Sequence, residues 1–228
     1  IFLIGYGAFP TQPNPHHLSS SNYRFDRWMS TSPSSTFPPS MVFHISNQQS
    51  TGSIDDELYS FWECPFNLTS RSRFVGLDDN GIGMVNTSSP QFDNCENGSE
   101  IVNTFIGGIV LSVNTKNSIS PKLEYSVGVH QQGNGVTRRI NNLQLQYRIG
   151  ESGKYISMAN HNFSSDGKIA GEMEHFSLPF SNDMENQDVV QFRWIYYSAD
   201  PQGAAGTRPM LRLDNVTLRS ESISVNDD

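Results

Sequence analysis

Residues 189–218, reading VVQFRWIYYSADPQGAAGTRPMLRLDNVTL, constrain the fold more than any other stretch. Val190, Phe192, Trp194 and Tyr196 alternate with Gln191, Arg193, Ile195 and Tyr197. Alternation with period two describes a strand with one face on a core. Residues 198–209 then gather Pro201, Gly203, Gly206 and Pro209, which break regular structure and turn the chain back. A hairpin with a long loop is the expectation. In the return arm Leu211 and Leu213 occupy odd positions, whereas Val216 and Leu218 occupy even ones. That slip of phase predicts a β-bulge at Asp214-Asn215.

The rest of the chain has the same character. Asn80-Gly81 lies between two short apolar runs and predicts a tight hairpin. Phe105–Val113 is continuously apolar, as a strand covered on both faces would be. Leu123, Tyr125, Val127 and Val129, and again Leu143, Leu145, Tyr147 and Ile149, alternate with polar residues and predict two half-buried strands. Residues 160–171 read as a polar loop and Glu172–Leu178 as a strand. No window of helical length keeps apolar residues at the i, i+3, i+4 spacing. About a dozen strands separated by turn chemistry predict an all-β, two-sheet antiparallel β-sandwich of the jelly-roll type, with a closed barrel as the alternative. The expected organisation is an extended leader over 1–17, a single sandwich domain over 18–219 and a tail or linker over 220–228. The apolar opening Ile1-Phe2-Leu3-Ile4 is too short to span a bilayer, and no later stretch is long enough.

A net charge of −8 with scattered Lys and Arg excludes a nucleic-acid backbone as the expected partner, because no basic stripe is present to release counterions. Few charges, with Ser, Asn, Gly, Thr and Gln at the polar positions, suit an extracellular β-protein. Cys64 and Cys95 both lie beside turn residues and are expected to form a disulfide closing a loop of roughly thirty residues, which adds about 3–4 kcal/mol. Two free buried thiols are the alternative.

The motifs of nucleophilic hydrolases, zinc enzymes and P-loop proteins are absent. The six histidines are dispersed, without ligand spacing. Glu172 and Glu174 alternate and would share one strand face, as the two carboxylates of a glycoside hydrolase do, but the run does not match the Glu-x-Asp-x-x-Glu strand of laminarinase-type glycosidases, and a solvated strand face is the preferred reading. Asp214, at the predicted bulge, is the candidate ligand for a structural calcium, with partners from Asp26 or the early loops, because a carboxylate leaving the sheet beside main-chain oxygens suits a hard cation; an ordinary surface Asp capping a bend is the alternative. Aromatic faces on which a sugar ring can stack are offered by Trp62, Tyr197 and Tyr59, with Asn and Gln plentiful to meet its hydroxyls. Trp194, alternating with Phe192 and Tyr196, belongs to the core. Sequons stand at Asn67, Asn86, Asn97, Asn162 and Asn215.

The segments SSSNYRFDRW, FPPSMVFH, GLDDNGIGMVNTSS, LQLQYRIGESGKY and the 189–218 stretch together resemble the jelly-roll-like modules near the start of large secreted and surface proteins of Bacteroidetes. The resemblance spans about residues 18–218. It implies a module that accompanies other domains and binds, displays or adheres rather than catalyses. The closing Leu-Asp-Asn-Val is similar to the last strand of many carbohydrate-binding jelly rolls, which implies a structural calcium at Asp214. No ligand-contact motif is matched, so the resemblance assigns no sugar-binding residue. The expected function is therefore non-catalytic binding of an extracellular polysaccharide or glycan by a secreted or cell-surface module. The alternatives are a subunit of an extracellular filament or adhesive layer, binding copies of itself by strand addition through Ile1–Phe9, and a glycoside hydrolase using Glu172 and Glu174.

Overall fold

A computed structural model describes residues 12–32, 37–45, 73–85, 106–133, 138–199 and 206–221. Within them the strands are β1 (His16–His17), β2 (Tyr23–Phe25), β3 (Met41–Ile45), β4 (Arg73–Gly76), β5 (Ile82–Val85) and β6 (Ile106–Asn114). They continue with β7 (Ile119–Gln131), β8 (Asn141–Ile149), β9 (Ile156–Ser164), β10 (Met173–Pro179), β11 (Val190–Ser198) and β12 (Met210–Glu221). No helix of the described residues is long and apolar enough to cross a membrane.

Two sheets form. The first runs β6-β11-β8-β9, with β3 and β1 side by side on the outer edge of β6; the second runs β10-β7-β12-β5-β4, with β2 beside the far half of β12. Among the described strands all pairings are antiparallel except that of β1, where His16 and His17 run parallel to Val113 and Asn114. From β5 to β12 the chain changes sheet at every connection except β8 to β9. That is the jelly-roll connectivity, and the two-sheet sandwich predicted from the strand pattern is present.

The predicted hairpin at 189–218 is not. β11 pairs with β6 and β8, whereas β12 pairs with β7, β5 and β2 in the other sheet. Each arm is the centre of its own sheet, so the chain changes sheet between Ser198 and Met210. Breaking residues announce a reversal of the chain but not whether the returning strand lies beside or above the first. Aromatic contacts tie the layers together instead. Trp194, fully buried, meets Tyr125 edge-on at 5.4 Å, and Phe74 lies 4.7 Å from Phe43 and 5.5 Å from Tyr196. Gly107 is dictated by this packing, since a Cβ there would lie 2.5 Å from the Tyr196 ring.

The Asn80-Gly81 hairpin forms as expected, with Asp78 at φ 54° and Gly81 at φ 79° and with Gly76 opposite Ile82. Two sequence expectations are corrected. Residues 160–164, expected to begin a polar loop over 160–171, belong instead to the edge strand β9, whose mostly exposed side chains carry no apolar alternation. Strand β8, expected to be half buried, is covered on its polar face too: Gln146 and Arg148 are buried against Gln191 and Arg193 of β11.

Candidate functional site

The bulge foreseen in β12 organises the site. The register passes from Asp214 opposite Ser126 to Thr217 opposite Glu124, so Asn215 and Val216 together face one residue of β7, and Asn215 takes φ 51°. The extra residue exchanges the two faces of the strand. Leu211 and Leu213 before it and Val216 and Leu218 after it all enter the core, which turns Thr217 and Arg219 outward.

Those outward residues join three cross-strand rows over β10, β7, β12 and β2. The middle row reads Ser177, Glu124, Thr217, Arg24; above it lies His175 beside Ser126, and below it Lys122 beside Arg219. Successive rows on one face lie roughly 7 Å apart and neighbouring strands about 4.8 Å. All of these residues except Lys122 floor a cleft of about 750 Å³, rimmed by Asn22 and Asn215. Asn22 is held by the Ser220 N–H, which donates to its Oδ1 at 3.1 Å.

Electrostatics divide the floor. Lys122 Nζ lies 2.9 Å from Glu124, while Arg219 reaches the same carboxylate only at 3.8 Å. The hydrogen bond from Lys122 is the main cause that holds the Glu124 carboxyl below its ordinary value, against a smaller opposing effect of burial. Arg24 pairs with Asp26 at 2.8 Å, both side chains being largely exposed. In the upper row the Ser126 hydroxyl and His175 Nδ1 lie 2.7 Å apart. This is a positioning contact rather than a nucleophile and its base: Ser126 is 2% exposed, and the nearby carboxylates are committed elsewhere, Glu174 to Lys168 at 2.5 Å and Asp214 to Arg212. The arrangement offers hydroxyl, amide, imidazole, carboxylate and guanidinium groups to a polar ligand.

Of the residues singled out from sequence, Asp214 is 2% exposed; one carboxylate oxygen accepts from Arg212 and the other from the Asn215 N–H at 2.7 Å. Asp26 follows β2, bonded to Arg24. Among the described residues no three His, Cys, Asp or Glu gather as a metal-holding group. Tyr197 is half buried on the outer face of the first sheet, across the sandwich from the cleft. Trp62, Tyr59, Cys64 and Cys95 lie outside the described residues. Glu172 precedes β10 and accepts from the Ile169 N–H at 3.3 Å, so it does not share a strand face with Glu174. Arg24, Glu124, Ser126, His175, Thr217 and Arg219 were not singled out. Alternation marks them as outward-facing, but only the topology makes their strands neighbours.

No family model matches the chain, and no curated protein matches its sequence. Solved structures align with it loosely. A structure of CBM61 in complex with β-1,4-galactotriose is 10% identical, with 61% of this chain and 70% of that one covered and a TM-score of 0.33. A non-crystalline cellulose specific carbohydrate-binding module, CBM28, is 10% identical over 67% of this chain and 83% of its own, with a TM-score of 0.33. The xylan-binding domain from CBM22 is 8% identical over 80% of this chain and 96% of its own, with a TM-score of 0.36.

Proposed function

We propose that this chain is a non-catalytic glycan-binding module of a secreted or cell-surface protein and that it holds its glycan in the cleft on β10, β7, β12 and β2. The observation that supports this reading is the floor itself: a cleft of about 750 Å³ in which Ser177, Thr217, Glu124 and His175 stand in rows beside two rim amides. A sugar presents hydroxyls in many directions, and a surface with both donors and acceptors at short intervals satisfies them better than an apolar pocket would. Binding to a broad polysaccharide panel tests the reading, with His175→Ala/Thr217→Ala as the control. Retention by the wild type and about tenfold weaker retention by the double variant are expected; equal retention by both places the glycan elsewhere, and retention by neither ends the proposal.

The structural calcium expected at Asp214 has to displace Arg212 from that carboxylate. Melting in calcium and in EDTA decides it, an unchanged Tm removing the metal. Assembly by strand addition is the alternative: among the described strands β1 and β3 line the outer edge of β6, while β9, β10 and β4 end the two sheets. A monomer by light scattering would discard it.

A further inference from the structure

Resting on the glycan-binding reading, we propose that the cleft selects anionic glycans, gripping a carboxylate or sulfate group between Arg24 and Arg219. Thr217 lies opposite Arg24, and Arg219 is the next outward residue along the same strand, so the two guanidiniums occupy diagonal positions on adjacent strands. Side chains in that relation start about 7–8 Å apart, within reach of one another for residues of this length. Two like charges so placed repel until an anion lies between them. The protein neutralises this pair only weakly. Arg24 has an exposed partner in Asp26, an ion pair of the kind that exchanges readily with a ligand. Arg219 stands 3.8 Å from a Glu124 carboxylate already engaged by Lys122 at 2.9 Å.

The placement is unusual for this chain. With a net charge of −8 the molecule as a whole repels polyanions, yet this rim exposes two arginines whose side chains are 73% and 65% accessible. At physiological ionic strength charges act over about 8 Å, so the local pair outweighs the distant acidic surface. A guanidinium pairs with carboxylate and sulfate oxygens in two parallel hydrogen bonds, and Thr217 between the two arginines supplies a hydroxyl for the same group or its ring neighbour.

Affinity electrophoresis and calorimetry on the full chain, with probes matched in backbone and different in charge, test the proposal. Polygalacturonate against its methyl ester isolates the carboxylate, and sulfated against unsulfated galactan isolates the sulfate. Binding at least about tenfold tighter to one charged member than to its neutral partner is expected, weakening as salt rises, with Arg24→Gln/Arg219→Gln losing that preference. Arg219→Lys should keep part of it, as a point charge without the fork; circular dichroism checks that each variant is folded. Equal binding to charged and neutral members would overturn the proposal while leaving the glycan module intact. Binding to neither would remove both. Single-stranded DNA bound as tightly as either polysaccharide would also overturn it, by showing a general anion surface.

Discussion

On the outer face of β8 and β11, Gln146, Gln191 and Arg193 are completely buried, whereas on the outer face of β7 and β10, Glu124, His175 and Ser177 meet solvent. Both faces come from strands that alternate apolar and polar residues. On the first, Arg193 donates from Nε to Gln146 at 2.7 Å and lies 3.7 Å over the Tyr155 ring, Arg148 stacks on the same ring at 4.5 Å, and Gln191 accepts from Tyr155 and donates to Gln12. Its polar groups are used up by one another. On the second, hydroxyls and charges stop at the surface, where water is displaced by whatever fits. Polarity in a strand therefore separates core from outer face but does not separate structure from binding; what covers the face decides that.

The largest test of this contrast is Arg193→Ala. It leaves buried acceptors without a donor and removes a stacked cation, and should lower the unfolding free energy by about 2–4 kcal/mol in urea titrations while leaving glycan affinity alone. A loss of affinity at unchanged stability would invert the roles of the two faces. Next in size is the bulge. Asn215→Val places a β-branched residue at φ 51° and should cost about 1–2 kcal/mol, with Asn215→Gly near neutral. If the valine variant is as stable as wild type, the exchange of faces does not depend on that backbone position.

Titration separates the regions more finely. Burial lowers the pKa of His161, whose Nδ1 lies 3.0 Å from the Tyr125 hydroxyl, and burial followed by the charge of Arg212 lowers that of His130. A histidine whose folded pKa is depressed contributes stability that is complete above its unfolded value, about 6.5, and that is lost as pH falls through the folded value. The urea midpoint should therefore drop between pH 7.5 and 5, and His161→Asn should flatten the slope. Glu124, also lowered, acts in a different window: its contribution holds above the unfolded carboxyl value, about 4.3, and disappears only as pH falls further. A midpoint that stays flat down to pH 5 would contradict the histidine assignment. The smallest effect belongs to Tyr197→Ala, on the far face, which should change binding in the cleft by less than about twofold. A larger loss would make its surface a second contact site.

Much of this architecture was legible beforehand, for reasons visible in particular residues. The bulge was readable because Leu213 and Val216 cannot both reach a core without it, and the Asn80-Gly81 turn because its backbone conformation restricts the residue types. The burial of β6 followed from a nearly continuous apolar run, interrupted by Ser112. The crossover of β11 to β12 was not readable, since a loop of this composition serves a hairpin and a change of sheet alike. Nor was the cleft. Ser177, Glu124, Thr217 and Arg24 come from four separate strands, and nothing in their local sequence says that they share a row. Strand β9 was missed because an exposed edge needs no apolar period.

The two strands at the hearts of the sheets, β11 and β12, are also the last of the described strands along the chain. β6 and β8 cannot complete their hydrogen-bond ladders until β11 has arrived, nor β7 and β5 until β12 has. A ribosome would therefore release most of this domain before its layers could close, leaving strand edges bare meanwhile, and folding would be slow, late and cooperative. The same order makes the domain vulnerable in one place: a chain cut anywhere before residue 189 loses the middle of both sheets at once, whereas the loss of β1 or β4 removes only a margin.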